Sequence, residues 1–132
     1  MDEVTRTQAQ WRELLTPQEF RVLRRGGTER PFTGALLREH REGMYTCRGC
    51  GLALFAGGAK FDSGTGWPSF YEPVGDAAVD LRSDRWLFLV ERTEVRCARC
   101  GSHLGHVFDD APGTPTGLRY CINAVALGFE PR

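Results

Sequence analysis

The sequence predicts a mainly β protein: an antiparallel β-domain with a helical cover at its N-terminus. Three observations predict this class. Helical periodicity is confined to the beginning of the chain, short β-type runs separated by glycine and proline make up the rest, and two matched Cys-x-x-Cys-Gly segments lie among those runs. We therefore expect one domain over residues 1–132, with helices at about 7–26 and the β-domain at about 34–130.

The first helix is predicted by the segment TQAQWRELL. Its residues Trp11, Leu14 and Leu15 stand at positions i, i+3 and i+4 and so form one apolar stripe. Such a stripe is the face that a helix of a globular protein buries.

The second helix is predicted by its start signals. Thr16 and Glu19 have the spacing of a capping box, and Pro17 stands between them at the first helical position. Phe20 and Leu23 supply the apolar face, and the Gly-Gly pair at 26–27 is expected to end the helix.

The β-domain is predicted by short runs of strand-forming residues, which are MYTC, RWLFLV, RTEVRC and LRYCINAVAL. In RTEVRC, the residues Thr93, Val95 and Cys97 alternate with charged residues, as they do in a half-exposed strand. No long helical period returns after these runs begin, so we expect no second domain.

Composition and charge narrow the function classes. The chain is 41% hydrophobic and 26% charged, with 17 basic and 17 acidic residues. A chain of zero net charge is a poor candidate for non-specific binding to nucleic acid or to a membrane surface. The N-terminus has no apolar signal-peptide region and no run approaches transmembrane length, so we expect a cytoplasmic protein whose thiols stay reduced.

Four of the five cysteines form an internal repeat, CRGCGLAL and CARCGSHL. Two such knuckles supply four thiolates, the tetrahedral closed set of a structural zinc site, and we expect Cys47, Cys50, Cys97 and Cys100 to bind zinc. The pairs are further apart than in a compact zinc ribbon, so the ion would join two distant turns of the β-domain. Two dithiol redox motifs or free core cysteines are the alternatives.

The fifth cysteine lies in the predicted strand LRYCINAVAL. Because residues two apart in a strand share a face, Arg119, Cys121 and Asn123 point one way, and Tyr120 and Ile122 point towards the core. A neighbouring cation favours the thiolate, so we expect Arg119 to lower the pKa of Cys121. A reactive thiol and a small buried residue are both open interpretations.

Two histidines and a tryptophan stand near these cysteines in sequence. His103 and His106 directly follow the second knuckle and are candidates for metal ligands, a catalytic acid pair or core residues; no ligand pattern accompanies them that favours a second metal. His40 lies in a charged segment and is expected at the solvated surface. Trp67, in the loop FDSGTGWPSF, is either core or the wall of a small apolar pocket.

Taken together, these segments resemble the B-type methionine sulfoxide reductases. The similarity runs through LTPQEFRVLRRGGTERPFTG, YTCRGCG, FDSGTGWPSF, RTEVRCARCGSHLGHVFDD and TGLRYCINAVAL, nearly the whole chain after the first dozen residues. The joint match is highly specific, whereas a Cys-x-x-Cys pair alone is not. The resemblance implies two antiparallel sheets of the β-tent type with N-terminal helices, a structural zinc ion, and reduction of the R epimer of methionine sulfoxide in proteins.

The residues fit that chemistry in the following way. Cys121 attacks the sulfoxide sulfur as a thiolate and becomes a sulfenic acid, and an acid must protonate the departing oxygen. We expect His106 to be the proton donor and His103 its partner. Asp109 or Asp110 is a candidate to orient one of the histidines, the alternative being solvated loop carboxylates.

Three further residues would complete the site. Arg119 and Asn123 are expected to organise the thiolate and the polar end of the substrate. Trp67 is expected to pack against the substrate methyl group, because an apolar wall holds a methyl without competing for the oxygen.

One departure from the family pattern concerns recycling. Many members carry a cysteine in the SGxGWPSF loop that resolves the sulfenic acid as an internal disulfide, and this chain has Thr65 there. We therefore expect thioredoxin or another external thiol to reduce Cys121. The expected partners are this reductant and oxidised proteins carrying methionine-R-sulfoxide, with no nucleic acid, no membrane and a monomeric chain.

Two other functions remain open from the sequence. A zinc-stabilised, non-catalytic binding module of the same β-tent fold would leave Cys121 unreactive. A different thiol oxidoreductase or peroxidase-type sensor would react with peroxide rather than with sulfoxide.

Overall fold

The computed structural model describes residues 1–86 and 90–132. In this part of the chain, two α-helices precede a series of short strands. They are α1 (Gln8–Leu14), α2 (Pro17–Leu23), β1 (Gly43–Cys47), β2 (Ala53–Ala56), β3 (Lys60–Phe61), β4 (Ser69–Phe70), β5 (Val79–Trp86), β6 (Val90–Cys97), β7 (His103–Phe108), β8 (Arg119–Ile122) and β9 (Leu127–Pro131), with 3-10 turns at Gly57–Ala59 and Ala124–Ala126.

The strands form two sheets. The smaller has the order β2-β1-β9 and the larger the order β3-β4-β8-β7-β6-β5. All neighbouring strands among the described residues pair antiparallel. The predicted fold class, mainly β with two antiparallel sheets and N-terminal helices, is confirmed.

Helix α1 begins with a capping box between Thr7 and Gln10 and buries Trp11. Leu15 is also buried, but Leu14 is 52% exposed, so the prediction of a three-residue apolar stripe is wrong at Leu14. The physical reason is that the helix ends at Leu14: Leu15 is already extended, and the stripe does not continue on one helical face.

Helix α2 has the predicted capping box of Thr16 and Glu19 with Pro17 at its start, and Phe20 and Leu23 are buried. It ends at Leu23, with the next residue as its C-cap, and does not extend to the Gly-Gly pair.

Most of the predicted strand runs lie in strands. MYTC lies in β1 and RTEVRC in β6, where Val95 and Cys97 are fully buried. Of the run RWLFLV, residues 87–89 lie outside the described residues. LRYCINAVAL is not one strand, because β8 ends at Ile122 and a 3-10 turn carries the chain from the larger sheet to β9 in the smaller one.

The core lies between the two sheets and is aromatic. Phe55 of the smaller sheet stacks on Phe70 of the larger one at 4.4 Å between ring centroids, and Tyr45 meets Phe70 edge-on at 5.1 Å. Tyr120 and Ile122 are buried on the inner face of β8, as predicted. Burying these side chains leaves the other face of β8, with Cys121, free to face a pocket.

Among the described residues, no helix has the length and apolar content that crossing a membrane requires.

Candidate active site

The two cysteine knuckles meet in space. The four sulfur atoms of Cys47, Cys50, Cys97 and Cys100 lie within 4.8 Å of one another, and two of the S–S separations are 3.7 and 3.6 Å. Zinc–sulfur bonds of about 2.3 Å in a tetrahedral site place the sulfurs about 3.8 Å apart. The four cysteines are therefore positioned to hold one metal ion, and their soft donor set and spacing fit zinc.

Cys121 lies away from this cluster, in the middle of the larger sheet. Its strand, β8, is flanked by β4 and β7, where its direct partners are Ser69 and His106. The cysteine opens onto a cavity of about 220 Å³, which we call the Cys121 pocket. This pocket is lined by Thr28, Thr65, Trp67, Arg92, Gly105, His106, Phe108, Arg119, Cys121 and Asn123.

A bulge in β7 brings the two histidines onto one face. Glu94 and Arg96 are two residues apart on β6, but they pair with His106 and His103, which are three apart. The extra residue in β7 corrects the alternation of the strand, so both imidazoles project to the same side. Their ring centroids are 5.4 Å apart.

His106 faces the pocket and is held by a carboxylate from β5. Its Nε2 lies 2.9 Å from Asp84 Oδ2, and Arg92 contacts the same oxygen at 3.3 Å. The hydrogen bond with His106 lowers the pKa of Asp84. A carboxylate on Nε2 fixes the ring and leaves Nδ1 as the nitrogen available to a ligand.

His103 is buried and lies outside the lining of the Cys121 pocket. Its Nδ1 is 2.6 Å from Glu94 Oε2, and its Nε2 has no hydrogen-bond partner among the described residues. Burial lowers the pKa of His103, with Glu94 acting in the opposite direction. The His103 ring thus lies next to the His106 ring but does not line the Cys121 pocket.

Arg119 is oriented by Asp110. Two parallel hydrogen bonds of 2.9 Å join its guanidinium to the carboxylate, and the guanidinium lies 4.5 Å from the Phe108 ring centroid. The idea that Asp109 or Asp110 orients a histidine is wrong for Asp110, because its carboxylate is hydrogen-bonded to Arg119. The carboxylates that contact the histidines are those of Asp84 and Glu94.

The environment of Cys121 contains opposing influences. Burial raises its pKa above the ordinary value, and this outweighs the opposite effects of the Arg119 charge and of hydrogen bonds from Thr65 and Arg119. Arg119 thus lowers the pKa of Cys121 as predicted, but the net pKa is raised because burial has the larger effect. The strand pattern showed the cation but not how deeply the sulfur would be buried.

Trp67 and Asn123 are joined through the backbone of Glu29. The Trp67 indole N–H donates to the Glu29 carbonyl at 3.0 Å, and the Glu29 N–H donates to Asn123 Oδ1 at 3.0 Å. Asn123 Nδ2 donates to the Leu104 carbonyl, which leaves one amide hydrogen for a bound atom. The Glu29 side chain is itself buried and accepts from the Val125 N–H at 2.8 Å.

Sequence reasoning missed Asp84, Glu94 and Glu29. The first two are charged residues on strands of alternating polarity, where a solvated face is the ordinary interpretation. Only the strand register places them opposite the histidines. Glu29 stands in an irregular segment between helix and sheet, and no local signal in that segment marks it as buried.

Comparison with known proteins gives one consistent family. The SelR domain family matches residues 15–131. The peptide methionine sulfoxide reductase MsrB of Leifsonia xyli subsp. xyli is 56% identical over 129 residues, covering 98% of this chain and 92% of that protein. The enzyme of the same name from Methanosarcina mazei is 52% identical over 128 residues, covering 97% and 90%.

A solved structure extends the fold likeness. The Mis18 'Yippee-like' domain superposes with a TM-score of 0.54 at 17% identity, covering 70% of this chain and 98% of that domain. At this identity the likeness concerns the fold alone.

Proposed function

The chain belongs to the SelR domain family and is a peptide methionine sulfoxide reductase, and on that premise we propose that it reduces methionine-R-sulfoxide in oxidised proteins with Cys121 as nucleophile. One observation carries the proposal. Of the five cysteines, Cys121 is the one outside the four-sulfur cluster, and it opens onto a pocket that also presents Trp67, His106 and Arg119. That arrangement supplies a nucleophile, an apolar wall and a proton donor around one substrate-sized space.

The reaction balances with one thiol and one sulfoxide. The Cys121 thiolate attacks the sulfoxide sulfur, and the oxygen accepts a proton as its bond to that sulfur weakens. With a second proton the oxygen leaves as water when the S–O bond breaks, and the methionine sulfur stays joined to Cys121 through the new Sγ–S bond. A water molecule then attacks Sγ, the Sγ–S bond breaks with its electron pair returning to the methionine sulfur, and Cys121 becomes a sulfenic acid. The other product is the methionine thioether.

His106 is the proposed proton donor. Two observations support this role: His106 pairs directly with Cys121 across the strands, and the contact of Nε2 with Asp84 leaves Nδ1 available to a ligand. His103, packed against its ring, is the proposed partner, and its link to Glu94 restrains it.

Arg119 and Asn123 prepare the nucleophile. Because burial raises the pKa of Cys121, a resting thiol is expected at neutral pH, and Arg119 stabilises the thiolate when the proton leaves. Asp110 keeps the guanidinium in place. Asn123 holds the end of β8 through Leu104 and offers its remaining amide hydrogen to the polar end of the substrate.

Trp67 is the proposed wall for the substrate methyl group. The Cys121 pocket of about 220 Å³ suits a single side chain rather than a large ligand. The hydrogen bond from the indole to Glu29 fixes the plane of the ring. An oriented apolar face selects the arrangement of methyl and oxygen around the sulfoxide sulfur, which is the proposed basis of preference for the R epimer.

Recycling is proposed to need an external thiol. The loop position next to Cys121 is Thr65, a hydroxyl that cannot form a disulfide, and the other cysteines form the metal cluster. The sulfenic acid therefore reacts with thioredoxin, with glutaredoxin and glutathione, or with a small dithiol.

Zinc is the proposed occupant of the cysteine cluster, with a structural role. A four-sulfur shell has no open position for substrate, and its binding free energy contributes to folding. We also propose that the protein is cytoplasmic and monomeric, with a single domain over residues 1–132. We propose that it binds neither nucleic acid nor membrane. The free thiols and zero net charge support it.

The test is a single turnover without reductant. The protein is mixed with one equivalent of each sulfoxide epimer, treated with dimedone and analysed by mass spectrometry. The R epimer should yield one methionine and one adduct at Cys121, and Cys121→Ser should yield neither while keeping its metal and unfolding curve.

Other outcomes contradict defined parts of the proposal. Rapid oxidation by peroxide with no reaction of either sulfoxide would identify a thiol sensor, and an inert Cys121 would identify a non-catalytic module. A disulfide between Cys121 and a cluster cysteine, formed at the rate of turnover, would refute external recycling. Thr65→Cys is expected to create an internal disulfide that the wild type lacks.

A further inference from the structure

A second cavity, larger than the Cys121 pocket, also has Trp67 in its wall. It has a volume of about 470 Å³, and we call it the Phe32 groove. Its walls combine apolar side chains with cationic ones, and they include Phe32, Leu37, Arg38, Lys60, Phe61 and Trp67. No residue of this groove other than Trp67 enters the proposed chemistry at Cys121.

The groove and the Cys121 pocket are neighbours that share one wall residue. Trp67 lines both cavities. Thr28 lines the Cys121 pocket and Phe32 lines the groove, and between them the Glu29 carbonyl accepts the Trp67 indole N–H. Thr28 and Phe32 are four residues apart, so they lie at most about 13 Å from one another, a distance that about four residues of an extended ligand cover.

Phe32 has two unusual features. Its side chain is 57% exposed, and among the described residues it is the one non-glycine residue with positive φ, at 67°. Its N–H donates to the Gly66 carbonyl at 2.7 Å, and its ring packs so closely on Gly66 that a Cβ there would lie 2.8 Å from the ring. A strained backbone that displays an exposed phenyl ring, fastened to the loop of the candidate active site, suggests a binding role rather than a folding one.

We propose that the Phe32 groove binds the polypeptide on one side of the oxidised methionine, with an apolar substrate residue packed between Phe32 and Phe61. This inference rests on the proposed function and narrows its substrates to segments with a bulky apolar residue within about four positions of the sulfoxide. Folded proteins satisfy this requirement only where such a segment is exposed.

The charged residues of the groove are of both signs. Arg41 is paired with Glu39 at 2.8 Å, and Lys60 Nζ is held by the carbonyls of Leu37 and Glu39. Arg38 is exposed and extends into the groove without a hydrogen bond to another described residue. Asp62, an exposed carboxylate that accepts the Gly64 N–H, lines the same groove, so the charges give no preference between an acidic and a basic substrate residue.

The experiment compares substrates with and without flanking residues. Wild type and Phe32→Ala are assayed for kcat/KM on N-acetyl-methionine-R-sulfoxide methylamide and on matched peptides. The peptides carry leucine or serine at each position up to four residues before and after the sulfoxide. Leu14→Ala, which removes an equally exposed side chain from α1, is the matched control.

Wild type should prefer the leucine peptides on one side of the sulfoxide by roughly threefold to tenfold. Phe32→Ala should abolish that preference and leave the minimal substrate unchanged. Phe32→Leu should keep part of the preference, and Leu14→Ala all of it.

Three results would overturn the inference. They are no preference in wild type, the same preference in Phe32→Ala, and an equal loss of activity by Phe32→Ala on peptides and on the minimal substrate. The last result would mean that Phe32 only holds the Gly66 loop. Failure of the wild type to reduce the minimal substrate would instead contradict the proposed function, so the two failures are distinguishable.

Discussion

Replacing Gly105 by alanine should separate the nucleophile from its proton donor. Gly105 precedes His106 on β7 and pairs with Ile122 of the neighbouring strand β8. A Cβ built at this glycine overlaps the carbonyl oxygen of Cys121 and lies 3.0 Å from both the Cys121 carbonyl carbon and the Ile122 Cα. All three atoms are backbone, so no rotamer change relieves the overlap.

The magnitude follows from the displacement. Ordinary carbon–carbon contacts are about 3.5–4.0 Å, so β7 and β8 must separate locally by about 1 Å. A misplacement of about 1 Å between reacting groups costs about 100-fold in rate. Overpacking of this kind typically costs about 1–3 kcal/mol in the free energy of unfolding.

The assay measures kcat/KM for sulfoxide reduction together with urea unfolding and metal content. Gly128→Ala is the matched control, because its Cβ meets only the Thr46 hydroxyl, at 2.9 Å, in the other sheet, and that side chain can rotate. The control should keep activity to within about twofold while losing some stability. If Gly105→Ala retains near wild-type kcat/KM at a comparable loss of stability, the opposition of Cys121 and His106 is not what sets the rate.

Four other outcomes are expected. Cys47→Ser should lose both metal and cooperative unfolding, measured by metal analysis and circular dichroism, since binding free energy at such sites is folding free energy. Asp84→Asn should lower kcat by roughly tenfold or more and alter the pH profile, because it removes the carboxylate on His106. Trp67→Ala should raise KM by an amount worth at most a few kcal/mol, with unfolding as the control for a core role. Iodoacetamide alkylation of Cys121 should rise with pH to a midpoint above the ordinary thiol value of 9.0, because burial raises its pKa, and Arg119→Met should move the midpoint higher; a midpoint below 9.0 would contradict this.

The fold was predictable where local pattern determines structure. The capping box of Thr16 and Glu19, the alternation around Val95 and the inward face of β8 are all set by residues a few positions apart. Local pattern failed at Leu14, since an apolar residue in the last turn of a short helix has no further turn to continue its stripe. It also failed where the 3-10 turn after Asn123 takes the chain to the other sheet.

The site was predictable in its residue types but not in its connections. Cys121, His106 and Trp67 stand in distinctive segments, and the structure brings them to one pocket. The carboxylates Asp84 and Glu94 act across strands, and their positions depend on a register that no local window contains. The bulge in β7 is a further case, because a strictly alternating strand would have put the two histidines on opposite faces.

The site is assembled from two halves that different parts of the fold hold in place. The proton-donor half follows the second cysteine knuckle directly: His103 is three residues after Cys100, so whatever fixes the cluster also fixes the start of β7. The aromatic half depends on Glu29, whose buried carboxylate holds the Val125 N–H while its backbone holds Trp67.

Cys121 lies where the two halves meet. Its strand pairs with β7 on one side, and Asn123, two residues later, accepts the Glu29 N–H on the other. Loosening either support should therefore reduce turnover in a distinguishable way. A change beside the second knuckle that leaves the metal bound and the chain folded should affect proton transfer and hence kcat, whereas a change at Glu29 should affect the aromatic wall and hence KM.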